Sequence, residues 1–179
     1  FSGELYIKRD DQIHPIISGN KWRKIVGYLQ NFFNYHYSGI ASIGGKYSNH
    51  LHALGYCCHQ LGIPFKALIS GWDRSLELTP TLADLYNWQV QLVGISRQET
   101  RNYRKGIQSS ELADWLWIPE GGVGEESKSG IQRLATELKP MLNADEALWI
   151  SVGSGTMIKG LATELPQIEM IGVSSFPLV

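Results

Sequence analysis

The sequence has 179 residues, of which 43% are hydrophobic and 18% charged, and its formal net charge is -1. This composition predicts a folded chain and argues against nucleic acid or an anionic membrane as the main partner, because no basic run or acidic tail is present. No apolar run is long enough to span a bilayer. The two cysteines, Cys57 and Cys58, are adjacent, so we expect no disulfide and a reducing, cytoplasmic compartment.

The first 34 residues contain a candidate reactive lysine. Alternating apolar and polar residues predict a short strand over 5–8, and Gly19 followed by Asn20 predicts a helix that Asn20 caps and that runs to about Phe33. Lys21 then lies in the first helical turn, where the helix dipole disfavours a protonated amine. A solvated lysine and a neutral amine available for chemistry both fit this position.

Strands and helices alternate through the rest of the chain. We predict strands over 40–43, 65–69, 90–93, 115–118, 147–152 and 169–173, and helices over 49–61, 79–88, 100–114, 131–142 and 157–165. This alternation is typical of α/β proteins with parallel sheets and helices on their faces. The glycine-rich segment 119–130 is predicted to be a loop that crosses between two subdomains.

Histidines and cysteines are concentrated between residues 50 and 59, but their spacing matches no zinc pattern, so no metal is predicted. The more informative features are two loops that follow predicted strands. In the run Gly153-Ser154-Gly155-Thr156, backbone N–H groups converge at the start of a helix, which favours a phosphate site with Ser154 and Thr156 as additional donors. A tight turn that merely needs glycine explains the same run.

The second loop carries Ser48 and Asn49 after Gly44-Gly45. Capping of the next helix by Ser48 or Asn49 is a structural explanation for this loop. In the functional alternative both point into a cleft, where Asn49 bonds a ring oxygen and Ser48 transfers a proton or contacts a substrate carboxylate.

Five runs occur in an order that resembles the pyridoxal-phosphate enzymes of the tryptophan synthase β type (fold type II). Within them, the chain is most similar to the 1-aminocyclopropane-1-carboxylate deaminase and D-cysteine desulfhydrase family. The runs are Lys8-Arg9-Asp10-Asp11, Gly19-Asn20-Lys21-Trp22-Arg23-Lys24, the segment 43–50, Pro119-Glu120-Gly121-Gly122 and Gly153-Ser154-Gly155-Thr156. They cover most of the sequence.

The resemblance implies a lyase or deaminase that acts on a small amino acid with pyridoxal 5'-phosphate as its cofactor. Lys21 would form the Schiff base and later move the substrate proton, and Asn49 would bond the phenolic oxygen of the cofactor. Ser48, Asn49 and His50 would bind the substrate, with Ser48 also catalytic. The turn Gly153-Ser154-Gly155-Thr156 would hold the phosphate.

The resemblance also implies an α/β architecture of two open parallel subdomains. The smaller one, residues 25–116, would be inserted into a larger one formed by 1–24 and 117–179, and the C-terminal part of the larger one would be absent from this sequence. A homodimer is implied as well.

Three functions remain open. His50 after Ser-Asn favours the desulfhydrase over the deaminase, for which glutamine is expected at this position. Thr156-Met157 stands where the family has Gly-Thr, which favours a non-catalytic α/β domain that binds a phosphorylated metabolite. Another fold type II pyridoxal-phosphate enzyme would use the same lysine and loop.

Overall fold

The structure, a computed structural model, describes residues 3–17, 19–75 and 77–174, and in these ranges six α-helices alternate with six β-strands. The helices are α1 (Asn20–Asn34), α2 (Asn49–Leu61), α3 (Pro80–Asn87), α4 (Arg97–Arg104), α5 (Ser127–Leu138) and α6 (Thr156–Glu164). The strands are β1 (Gly39–Gly44), β2 (Phe65–Ser70), β3 (Gln91–Ile95), β4 (Trp115–Ile118), β5 (Ala147–Val152) and β6 (Glu169–Ser174). The ends of the predicted large subdomain, residues 1, 2 and 175–179, lie outside the described residues, as do 18 and 76.

Four strands form one parallel sheet in the order β3-β2-β1-β4. β1 lies inside this sheet, and all six of its residues are buried. Side chains of α1, α2 and α3 pack on one face of the sheet around Ile40, while Ala41 and Ile43 contribute to a separate cluster on the other face. Because the strands are parallel, the loops after β1 and β2 meet at the same edge of the sheet.

The remaining two strands, β5 and β6, form a second parallel sheet, which packs against α5 and α6. The α/β fold class predicted from the sequence is therefore confirmed. The predicted boundary at residue 117 falls inside β4, which pairs with β1 in the first sheet, and the division into subdomains stays a prediction. Among the described helices, none is long and apolar enough to cross a membrane.

Two glycines allow α1 and α5 to approach closely. A Cβ added at Gly27 would collide with the carbonyl oxygen of Glu126, and one added at Gly130 would collide with the carbonyl oxygen of Arg23. Gly130 was predicted to end a loop, yet it lies inside α5, which begins four residues before the predicted start at Ile131. A packing requirement, and not turn geometry, explains this glycine.

The N-terminal expectations were wrong in two details. Residues 5–8 belong to neither sheet and are exposed, because no described strand pairs with them. Asn20 is the first helical residue and not the cap; Gly19 occupies the cap position with φ of 58° and supplies no side-chain hydrogen bond. The first N–H groups of α1 therefore have no side-chain cap.

The helix expected over 100–114 is shorter and begins earlier than predicted. Ser96 and Glu99 form a reciprocal capping box that begins α4 at Arg97. The helix ends at Arg104, and Gly106 follows in the left-handed region with φ of 80°.

Candidate functional site

Lys21 lies in the first turn of α1 and is half-buried. Burial lowers the pKa of its amine from the ordinary value of 10.5. No hydrogen-bond partner for this amine lies among the described residues. The predicted neutral amine is thus physically reasonable at this position, although the role of Lys21 stays a prediction.

Lys24, one helical turn later, is a residue of the candidate site that the sequence reasoning missed. Its side chain is buried, and Nζ donates hydrogen bonds to the carbonyl oxygen of Gly121 and to Oγ of Ser154, both at 3.2 Å. Burial, followed by the charge of Lys21, lowers the pKa of Lys24 to about 8. Its spacing from Lys21 was the available signal, because residues three apart share one helix face.

The predicted phosphate turn has the geometry of an anion site. Gly155 has φ of 74° and precedes α6 without a side-chain cap, so the first N–H groups of this helix are available to an anion. Oγ of Ser154 lies 3.0 Å from Oγ1 of Thr156. Gly153 leaves open space, because an added Cβ there would meet no atom within 4 Å. Lys24 therefore connects this turn to the helix that carries Lys21.

Ser48 caps α2, as the capping interpretation predicted: its Oγ accepts a hydrogen bond from the N–H of Leu51 at 3.2 Å. This bond uses a lone pair, so the hydroxyl hydrogen remains available to a ligand. Asn49 is the first residue of α2, and its side chain is exposed. Within the described part of the chain, neither side chain hydrogen-bonds to Lys21.

His50 is buried between α2 and the first sheet. Its Nε2 lies 3.0 Å from Oγ of Ser42, which also donates to the carbonyl oxygen of Ile118 at 2.7 Å. Burial, with smaller effects of the charges of Lys21 and Lys24, lowers the pKa of His50 to about 3, so the ring is neutral at physiological pH. Ser42 is a second residue that the sequence reasoning missed, because a serine in an apolar strand gives no functional signal.

A cavity of about 520 Å³ adjoins Ser48 at the carboxyl ends of β1 and β2. Ser70, Gly71 and Trp72 form one wall, and Lys46, Glu77 and Glu120 contribute charged side chains. Neither Lys21 nor the turn at 153–156 lines this cavity, so of the predicted site residues only Ser48 contacts it. No group of His, Cys, Asp and Glu that could hold a metal occurs in the described ranges.

The residues present fit a phosphorylated aldehyde cofactor. A phosphate at the start of α6 would meet N–H groups without a side-chain cap, the hydroxyls of Ser154 and Thr156, and the buried ammonium of Lys24. Lys21, a half-buried amine with a lowered pKa, lies on the same helix as Lys24. Phosphate groups bind at such helix N-termini, and amines of lowered pKa react with carbonyls.

Comparison with known proteins finds relatives that match nearly the whole of this chain. The chain is 27% identical over 173 residues to a putative 1-aminocyclopropane-1-carboxylate deaminase of Thermotoga maritima, covering 92% of this chain and 55% of the relative. It is 25% identical over 187 residues to D-cysteine desulfhydrase of Salmonella paratyphi A, covering 96% and 57%. No protein-family model matches the chain.

Solved structures share the fold. The structure of an ACC deaminase homologue matches with a TM-score of 0.78 at 22% identity, over 94% of this chain and 55% of that one. A pyridoxal 5'-phosphate-dependent aspartate racemase matches with a TM-score of 0.65 at 15% identity, over 93% and 49%. The chain spans about half the length of the curated relatives it matches. The resemblance predicted from the five motifs is confirmed: the chain is similar in sequence to the 1-aminocyclopropane-1-carboxylate deaminase and D-cysteine desulfhydrase family and has the fold of its tryptophan synthase β-like relatives.

Proposed function

We propose that the chain binds pyridoxal 5'-phosphate through Lys21 and serves a lyase or deaminase that acts on a small amino acid. The observation that carries this proposal is the contact of Lys24 with Ser154. It connects the turn at 153–156 to the helix that presents Lys21, so a phosphate-anchored ligand would extend towards that amine. The names of the relatives support the choice of ligand and reaction class.

The phosphate group would bind at the start of α6. There the N–H groups of the helix donate, and Ser154 and Thr156 add hydroxyl donors. Lys24 would exchange its hydrogen bond to Ser154 for one to a phosphate oxygen and so supply a positive charge in a buried position.

When bound, pyridoxal phosphate supplies an aldehyde that reacts with amines and a ring that accepts electrons. Lys21 would be the residue that holds the aldehyde, because burial keeps more of its amine neutral than in an exposed lysine. The same amine would also take or give a proton at the substrate carbon. Ser48 would donate its free hydroxyl hydrogen to the substrate carboxylate, and Asn49 would hydrogen-bond the phenolic oxygen of the cofactor.

For the substrate we favour D-cysteine over 1-aminocyclopropane-1-carboxylate, because His50 follows Ser48 and Asn49 where glutamine is expected in the deaminases. The test is a substrate panel with the purified chain and pyridoxal phosphate. We expect sulfide from D-cysteine, no 2-oxobutanoate from the cyclopropane acid, and no product with either substrate when Lys21→Ala is used. Formation of 2-oxobutanoate would show that the activity is that of a deaminase and not of a desulfhydrase. Turnover by Lys21→Ala would refute the proposal that Lys21 binds the cofactor.

A second candidate is a non-catalytic domain that binds a phosphorylated metabolite. The contact of Lys24 with Ser154 supports it equally, since neither residue depends on Lys21 for anion binding. This candidate predicts that Lys21→Ala leaves the affinity for pyridoxal phosphate unchanged, whereas the proposed enzyme predicts a loss because a covalent bond is removed. The homodimer expected from the resemblance stays a prediction.

A further inference from the structure

The hydrogen bonds around His50 determine its tautomer. The hydroxyl hydrogen of Ser42 is donated to the carbonyl oxygen of Ile118 at 2.7 Å, so Ser42 can only accept from the imidazole. The 3.0 Å contact between Oγ of Ser42 and Nε2 of His50 therefore places the ring hydrogen on Nε2. Because the ring is neutral, Nδ1 carries a lone pair and is an acceptor.

This acceptor is buried without a partner among the described residues. His50 is 3% exposed, so water does not readily replace a protein donor. The ring lies beside Gly122, where an added Cβ would be 3.7 Å from Nδ1 of His50 and 3.2 Å from Cβ of Lys24. Nδ1 thus lies on the side of the ring where α1 passes. An unsatisfied buried acceptor is costly, which suggests that a donor reaches it in another state of the site.

Two lysines on α1 are the candidate donors. Lys24 already donates to Gly121 and Ser154. Lys21 has no acceptor in the described ranges, and its charge acts on His50 more strongly than that of Lys24 does. Its four-carbon side chain can adopt several rotamers, so its ammonium can turn towards the ring.

We propose that, while no ligand is bonded to Lys21, its side chain turns from the orientation seen in the structure so that the ε-ammonium donates a hydrogen bond to Nδ1 of His50, which has no partner in that orientation. His50 is then a positioning residue: Ser42 fixes its tautomer, and the ring holds the amine of Lys21 beside the turn that binds phosphate. The meaning of this pair for catalysis rests on the proposed function, but formation of the pair needs no cofactor.

The first experiment measures the imidazole nitrogens of His50 by NMR in ligand-free protein labelled with ¹⁵N-histidine. We expect hydrogen on Nε2, and an Nδ1 resonance that moves towards that of an unbonded acceptor in Lys21→Met but stays in place in Lys24→Met. A hydrogen on Nδ1, or an Nδ1 resonance with the same chemical shift in Lys21→Met as in the parent, would overturn the proposal. Because no cofactor is present, either result is independent of whether pyridoxal phosphate binds.

Two variants then separate the acceptor from the contact with Ser42. His50→Gln can keep an N–H donor to Ser42 but places no acceptor at the position of Nδ1, whereas His50→Asn can place its amide oxygen there. An ammonium bonded to His50 holds its proton more strongly, so His50→Gln should speed the methylation of Lys21 by formaldehyde and cyanoborohydride, the hydride donor, about tenfold at a pH below the pKa of Lys21. His50→Asn should stay near the parent rate. The reverse order of the two variants would show that the contact with Ser42 alone matters and refute the proposal.

Discussion

Methionine in place of Lys24 is expected to weaken the binding of pyridoxal phosphate about 30-fold, the effect of losing about 2 kcal/mol of charge-assisted hydrogen bonding. The buried ammonium of Lys24 lies 3.2 Å from Oγ of Ser154. A phosphate bound in the turn at 153–156 would accept a hydrogen bond from it. Methionine preserves the apolar stem, so the packing of α1 should survive. The affinity is measured by absorbance titration, with Lys128→Met, an exposed lysine on α5, as the control for net charge.

The same variant should leave the ligand-free fold at least as stable as the parent. The unfolded chain keeps the proton of Lys24 up to its ordinary pKa of 10.5, whereas the folded chain releases it near 8. The unfolded state therefore binds more protons between these values, and the free energy of unfolding of the parent rises with pH there. In Lys24→Met, the free energy of unfolding should no longer show the part of this rise that comes from Lys24. Urea unfolding at pH 7, 8 and 9.5 measures the rise in both proteins. A variant that binds pyridoxal phosphate as tightly as the parent, or that is clearly less stable, would contradict the proposed role of Lys24 as a phosphate ligand.

Loss of Arg23 should have the largest effect on stability, about 3 kcal/mol for Arg23→Met, because removing one partner of a buried ion pair leaves its carboxylates uncompensated. The guanidinium is buried and donates to Glu137 at 2.7 and 2.8 Å and to Asp10 at 3.1 and 3.2 Å. These bonds connect the N-terminal segment, α1 and α5. Lys8 also contacts both carboxylates and compensates part of the loss.

The matched control is Arg133→Met. Arg133 also contacts Glu137, at 3.8 Å, but its side chain is 77% exposed, and exposed pairs contribute at most about 1 kcal/mol. Urea unfolding of both variants at pH 7 makes the comparison. Equal losses would show that burial of the Arg23 network adds nothing to stability.

The ion pairs of Arg23 also predict how the free energy of unfolding changes at acid pH. The hydrogen bonds from Arg23 are the main cause that lowers the pKa of Glu137 from 4.5 to about 2. The carboxylate thus stabilises the fold above pH 4.5, and this contribution is lost as the pH falls towards 2. In Arg23→Met, the free energy of unfolding should therefore fall less than in the parent as the pH drops from 4.5 towards 2.

Local signals in the sequence predicted much of the fold. β4 and β5 have their predicted bounds, and α2 runs over its predicted residues, since Ser48 begins it and Gly62, in the left-handed region, ends it. The prediction of a strand over 5–8 was wrong, because alternation of apolar and polar residues specifies a strand only where another strand pairs with it.

The residues whose roles the sequence did not reveal make contacts between distant segments. Lys24 contacts Ser154 across 130 positions, and Arg23 contacts Glu137 across 114. Ser42 lies in an apolar strand and gains a role only because α2 places His50 above it. A basic residue in a helix or a serine in a strand has many solvent-exposed or structural uses, so spacing alone does not distinguish these positions.

Borohydride reduction of the chain with pyridoxal phosphate, followed by mass mapping of its peptides, tests most directly whether Lys21 anchors the cofactor. Reduction makes the bond between amine and aldehyde permanent and so records which lysine reacted. We predict one phosphopyridoxyl group on Lys21 and none in Lys21→Ala, together with a visible absorbance band before reduction that the variant lacks. Modification of Lys24, or scattered modification of exposed lysines such as Lys46, would contradict the proposed site.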